Sequence, residues 1–96
     1  MATFVTLVSF TDQGARTIKD SPNRAEAFQA AAAKLGVQVK SMLWTTGQYD
    51  LVVTVEGPEE AVMASLVSTA AMGNIRTQTL RAYTATEVKK IIAMLP

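Results

Sequence analysis

The chain has no cysteine and no histidine among its 96 residues. Without cysteine there is no disulfide frame, no thiolate metal site and no thiol nucleophile. Without histidine the chain lacks the commonest general base, the commonest transition-metal ligand and the usual haem ligand. The five glycines stand singly at turns, so no glycine-rich phosphate loop is present. Nine basic and eight acidic residues leave a formal charge of +1 with no basic stripe, which argues against nucleic acid as a partner. No apolar run approaches a membrane span. The opening "MATFVTLVSF" has no basic leader and alternates rather than forming an apolar block, so no signal peptide is expected and the chain reads as cytoplasmic. Asp12, Asp20, Asp50 and Glu56 offer oxygen ligands without a dense carboxylate spacing, so neither a metal nor another cofactor is expected.

What is present is apolar. Hydrophobic residues make up 49% of the chain and charged ones 18%. A single domain over residues 1–96 has one core and much surface, so this excess implies apolar surface buried between subunits.

The periodicity divides the chain. Thr3 to Phe10 is apolar on both alternating faces, as a central strand covered on both sides would be. Thr11 followed by Asp12 opens a helical segment, and Ser21 with Pro22 restarts a helix carrying Ala25, Phe28, Ala32 and Leu35 on one face until Gly36. Val37 to Thr45 and Tyr49 to Glu56 read as strands joined through Gly47 and Gln48. Gly57 and Pro58 open a helix with Glu59 and Glu60 in its first turn and an expected inward stripe of Val62, Met63, Leu66, Val67 and Ala70. Gly73 and Asn74 stop it, and a fourth strand spans Ile75 to Tyr83. In "TATEVKKIIAMLP", Thr84 and Glu87 form a capping-box pattern, and Val88, Ile91, Ile92 and Leu95 make one apolar face.

The order β-α-β-β-α-β with an added C-terminal helix specifies an α+β, ferredoxin-like fold: an antiparallel sheet with helices on one face. The other face needs a cover. Two sheets stacked face to face, as a dimeric α/β barrel, provide one, and the last helix is the rival cover. In this topology "TDQG" (Thr11–Gly14), "WTTGQYD" (Trp44–Asp50) and "GNIRT" (Gly73–Thr77) meet at one edge. They bring together Asp12, Trp44, Tyr49, Asp50, Asn74 and Arg76 beside free N–H groups of a helix start.

These residues also carry a resemblance. Gly47, Tyr49 and Asp50, with "TDQG", "KDSPNR" (Lys19–Arg24), "GQYDLVV" and "GNIRTQTLRAY" (Gly73–Tyr83), make the chain similar to the GYD-domain proteins along nearly its whole length. The resemblance implies a ferredoxin-like dimeric α/β barrel and no assigned activity. A looser similarity, through the "G-x-Y-D-L" strand start, is to the amino-acid-sensing domains of the leucine-responsive regulator class. The helix-turn-helix of those regulators is missing here.

Each candidate has a structural and a functional reading. Asp50 either fixes the turn, or pairs with Arg76, or acts as a ligand acceptor with Tyr49 as donor. Arg76 and Arg81 lie at opposite parity on one strand. One is solvent-facing, and the other needs a carboxylate or an anionic ligand. Trp44 reads as packing, and Lys19 and Arg24 as surface charges. Three functions remain open. The first is a small-molecule-binding or sensing module working as a homodimer or a multiple of dimers. The second is a structural or assembly protein. The third is a cofactor-free oxygenase- or isomerase-like enzyme with Asp50 as base, Tyr49 as donor and Arg76 stabilising charge.

Overall fold

In the computed structural model, which describes residues Met1–Pro96, the alternating N-terminal segment forms strand β1 (Ala2–Phe10). Thr11 caps helix α1 (Asp12–Arg16), and a 3-10 turn (Ile18–Asp20) leads into α2 (Ser21–Lys34). Strands β2 (Gln38–Trp44) and β3 (Leu51–Gly57) follow, then α3 (Glu59–Ala70), β4 (Ile75–Ala82) and α4 (Ala85–Ile92). The strands form one antiparallel sheet in the order β2-β3-β1-β4, the βαββαβ arrangement of a ferredoxin-like α+β fold.

The register separates the two faces. Phe4, Thr6 and Val8 of β1 pair with Val55, Val53 and Leu51 on one side and with Arg81, Thr79 and Thr77 on the other, so these residues share one face. With Val37, Ala32, Val62 and Leu66 the apolar members form the core beneath α2 and α3. The opposite face carries Val5, Leu7, Leu43, Val52 and Leu80 and is covered by no helix. Edge strand β2 shifts register between Val39 and Ser41, which takes Lys40 out of the ladder as a bulge.

Several expectations change. Tyr49 and Asp50 precede β3 instead of opening it, because the Asp50 amide and carbonyl bond to Val8 and Thr45 at the close of the hairpin. Ser21 does not cap α2: Asp20 takes the cap position with no side-chain bond, and the Ser21 hydroxyl serves Trp44. Of the stripe expected on α3, Val62 and Leu66 are buried while Met63 and Val67 are 60% and 58% exposed. At about 100° per residue these two sit a quarter-turn or more from Val62 and look out past the helix's contact with the sheet. Leu35 at the end of α2 is likewise exposed. The α4 face predicted to bury itself finds no cover within the chain, and no residue of α4 is buried.

Candidate functional site

Two of the three expected motifs are clasped together at the sheet edge. The Thr11 hydroxyl donates to the Gly73 carbonyl at 2.6 Å and accepts from the Gly14 amide at 3.1 Å. The Thr11 amide donates to the Asn74 carbonyl at 3.1 Å. The Gln13 side-chain amide donates to Asn74 Oδ1 at 2.9 Å and to the Met72 carbonyl at 3.1 Å. The clasp is tight enough that a Cβ on Gly14 would stand 2.0 Å from the Asn74 carbonyl oxygen. Gly73 closes α3 with φ of 85°, a conformation that favours glycine. Asp12 lies exposed in the first turn of α1, where the helix dipole favours a carboxylate.

The third motif joins through Asp50. Its Oδ2 accepts from the Phe10 amide at 2.7 Å, while its own amide donates to the Val8 carbonyl at 2.7 Å and its carbonyl accepts from Thr45 at 2.8 Å. The carboxylate therefore stands in for a backbone acceptor where β3 ends and β1 continues. Of the readings weighed for Asp50, the geometry is that of a strand-end clamp, made to β1 and not to Arg76. The Tyr49 hydroxyl donates to Gln78 Oε1 at 3.0 Å. Gln78 pairs with Leu7 on the open face, so the phenol reaches across β1. Arg76 is exposed on that same face opposite Ser9. Tyr49, Gln78 and Arg76 thus form a polar rim along one end of the apolar open face.

Trp44 and Arg81 face the helix side. The Trp44 indole donates to Ser21 Oγ at 3.0 Å and ties the β2 end to the start of α2. Arg81 lies roughly 17 Å further along β4 from Arg76. Its guanidinium donates to the Thr3 and Ala82 carbonyls, sits 4.4 Å from the Tyr83 ring centroid and 5.5 Å from that of Phe4, and comes within 4.0 Å of Glu87. Glu87 in turn accepts from the Thr84 amide at 2.8 Å, and that hydrogen bond, with Arg81 adding to it, holds its carboxyl below the ordinary carboxylate range. As expected from their parity, the two arginines serve different faces.

Two features escaped sequence reasoning. Arg24 is half-buried, and its guanidinium donates to the Thr17 carbonyl and hydroxyl and to the Gly14 carbonyl, stapling α2 to α1. Its spacing of seven and ten residues from those acceptors was the available signal. A cavity of about 70 Å³ lies between the sheet and the helices, with Arg24, Ser21, Thr6, Thr77, Phe28 and Leu66 among its walls. Nothing local in sequence marks such a space, since its lining comes from almost every element.

A sequence model of the GYD domain matches residues 4–92. The chain belongs to the GYD domain family. It is also 36% identical over 84 residues to a protein of Thermus thermophilus, a match spanning 85% of this chain and 88% of the relative. That relative is named glutamine synthetase and cystathionine beta-lyase binding protein. In this GYD domain the residues of the signature are structural in the first instance. Gly47 turns the hairpin with φ of 106°, Asp50 clamps the sheet, and Tyr49 lays a hydroxyl on the open face. No helix is long and apolar enough to cross a membrane.

Proposed function

We propose that this GYD domain is a cytoplasmic binding module: a homodimer, or a multiple of dimers, built by stacking two open sheet faces into an α/β barrel, that docks on other proteins. The observation that carries this reading is the uncovered face of Val5, Leu7, Leu43, Val52 and Leu80, with Leu43 64% exposed. An apolar face of that kind is an interface in waiting. The polar rim of Tyr49, Gln78 and Arg76, with Asp50, Asp12 and Asn74 at the adjoining edge, supplies the specific contacts. The relative's name points to glutamine synthetase and cystathionine beta-lyase as the docking partners to try first.

Native mass spectrometry and titration against these two purified enzymes test it. Wild-type protein is expected as a dimer or a multiple of dimers that binds at least one of them. Leu7→Glu is expected to give folded monomers, since a charge in the centre of a packed interface is unpaired. A wild-type monomer, or no binding to either enzyme, overturns the reading.

The cavity under α2 and α3 supports a second role as a sensor of a small ligand. It is half the size of an engineered cavity of about 150 Å³ that takes up benzene, which limits a ligand to a few apolar atoms near Arg24. A ligand bound there raises the melting temperature with its concentration.

A further inference from the structure

The least satisfied element of the molecule is α4. Its cap is complete: Thr84 Oγ1 accepts from the Glu87 amide at 3.2 Å, and the Glu87 carboxylate accepts from the Thr84 amide. Its root is anchored by the contact of Glu87 with Arg81, which itself bonds to the Thr3 carbonyl. Yet its apolar face, Val88, Ile91 and Ile92, with Leu95 just beyond it, is exposed throughout, Ile92 by 57%. It packs extensively on no other element, and the molecule is correspondingly elongated, 51 × 31 × 18 Å.

A second uncovered surface is complementary to this one. Between α3 and β4 runs a groove of about 470 Å³ whose wall is the exposed ridge of Met63 and Val67, headed by Glu59. Glu59, Met63 and Val67 stand at i, i+4 and i+8, one row along the helix, with Glu60 beside them in the first turn. The remaining charge at that end of the groove, Arg81, is already engaged by Glu87 and by carbonyl oxygens. The groove therefore presents an apolar α3 wall facing Thr77 and Thr79 of β4, and an end where Glu59 and Glu60 outnumber the engaged Arg81. α4 presents an apolar stripe flanked by Lys89 in its last turn, with Lys90 on the opposite side of the helix.

We propose that α4 is an exchange arm, and that its apolar face fills the α3–β4 groove of a second copy of this chain, with Lys89 at the flank of the stripe meeting the partner's acidic α3 start. The inference rests on the self-association proposed above and adds a contact to it. Its own groove is a poor seat: α4 follows β4 directly through Tyr83 and Thr84, and to fold back it would have to give up the Arg81–Glu87 contact that fixes its direction. Exchange is reciprocal about a two-fold axis, so two arms fill two grooves and the contact closes at a dimer.

The chain's lack of cysteine gives a direct test. Met63→Cys chains are co-expressed with chains carrying Val88→Cys, Ile91→Cys or Ile92→Cys, and oxidised mildly. A disulfide between positions 63 and 88, 91 or 92 of differently labelled chains can only join two copies, and it requires Cβ atoms within about 4.5 Å. We expect that bond from at least one pairing, confirmed by peptide mapping, and a roughly fivefold weaker dimer at low salt for Lys89→Glu, restored by Glu59→Lys. No cross-link from any pairing overturns the arm exchange. So does a bond found only within one chain when both cysteines are on it. If the wild-type protein is a dimer in native mass spectrometry and no pairing cross-links, the arm exchange alone has failed. If cross-links form and Leu7→Glu remains a dimer, the sheet stacking has failed and the arm carries the assembly.

Discussion

The Asp50 carboxylate accepts a hydrogen bond from the Phe10 amide, 40 residues away in sequence, at 2.7 Å. The bond lies where the β1–β3 ladder gives way to the edge, and it supplies the acceptor for the Phe10 N–H.

Replacing that carboxylate reports on its role. Asp50→Ala leaves a part-buried amide unpaired and is expected to cost about 1–3 kcal/mol in chemical denaturation, whereas Asp50→Asn keeps a side-chain acceptor and costs about 1 kcal/mol. Equal and negligible losses for both would mean that the clamp contributes nothing to stability.

Two glycines at the same edge differ in kind. Gly14→Ala drives a Cβ into the Asn74 carbonyl, a backbone atom that cannot swing aside, and should cost about 3 kcal/mol or more. Gly73→Ala meets only the end of the Gln13 side chain but is strained by its φ of 85°, at about 1–2 kcal/mol. The order of the two melting temperatures, Gly14→Ala below Gly73→Ala, checks the clasp.

Much of this edge was legible in the sequence, and the part that was not has a common cause. Caps, turns and strand parity are local, so Thr11, Gly36, Gly47, Gly73 and the Thr84–Glu87 box stand where expected. The meeting of Thr11 with Gly73 followed from topology alone. How far round a helix the core reaches is not local. Met63 and Val67 fit an apolar stripe by spacing, but the sheet ends at β4 and offers them no surface. Ser21 shows the same limit, its hydroxyl going to a tryptophan 23 residues on.

That indole bond makes the only tryptophan a local reporter. Ser21→Ala removes the acceptor and should cost about 0.5–1.5 kcal/mol. It should also shift Trp44 fluorescence to the red as the half-exposed ring loosens from α2. An unchanged spectrum would show that the ring is held by packing and not by the bond.

Acid should loosen α4 before it unfolds the body. The Glu87 carboxyl titrates below its ordinary value because the charged form accepts from the Thr84 amide. Its contribution is fully present above the unfolded pKa of about 4.3 and is lost as pH falls through the lower folded value. The Thr84 amide resonance is expected to move over that window, and Glu87→Gln, which can still cap, should abolish the movement. A Thr84 shift that persists in Glu87→Gln would assign the titration to another group.

The sheet has two unlike edges, and this bears on how large an assembly can grow. At β2 the register shift takes Lys40 out of line and interrupts the free backbone just where a further strand would add. β4 pairs with β1 without a break from Ile75 to Ala82. Strand-by-strand polymerisation needs a receptive edge on both sides of every unit, and here one of the two is blunted by a bulge. Pairing of two copies through β4 would occupy the regular edge of each and leave outward only the bulged β2 edges, which disfavour further strand addition.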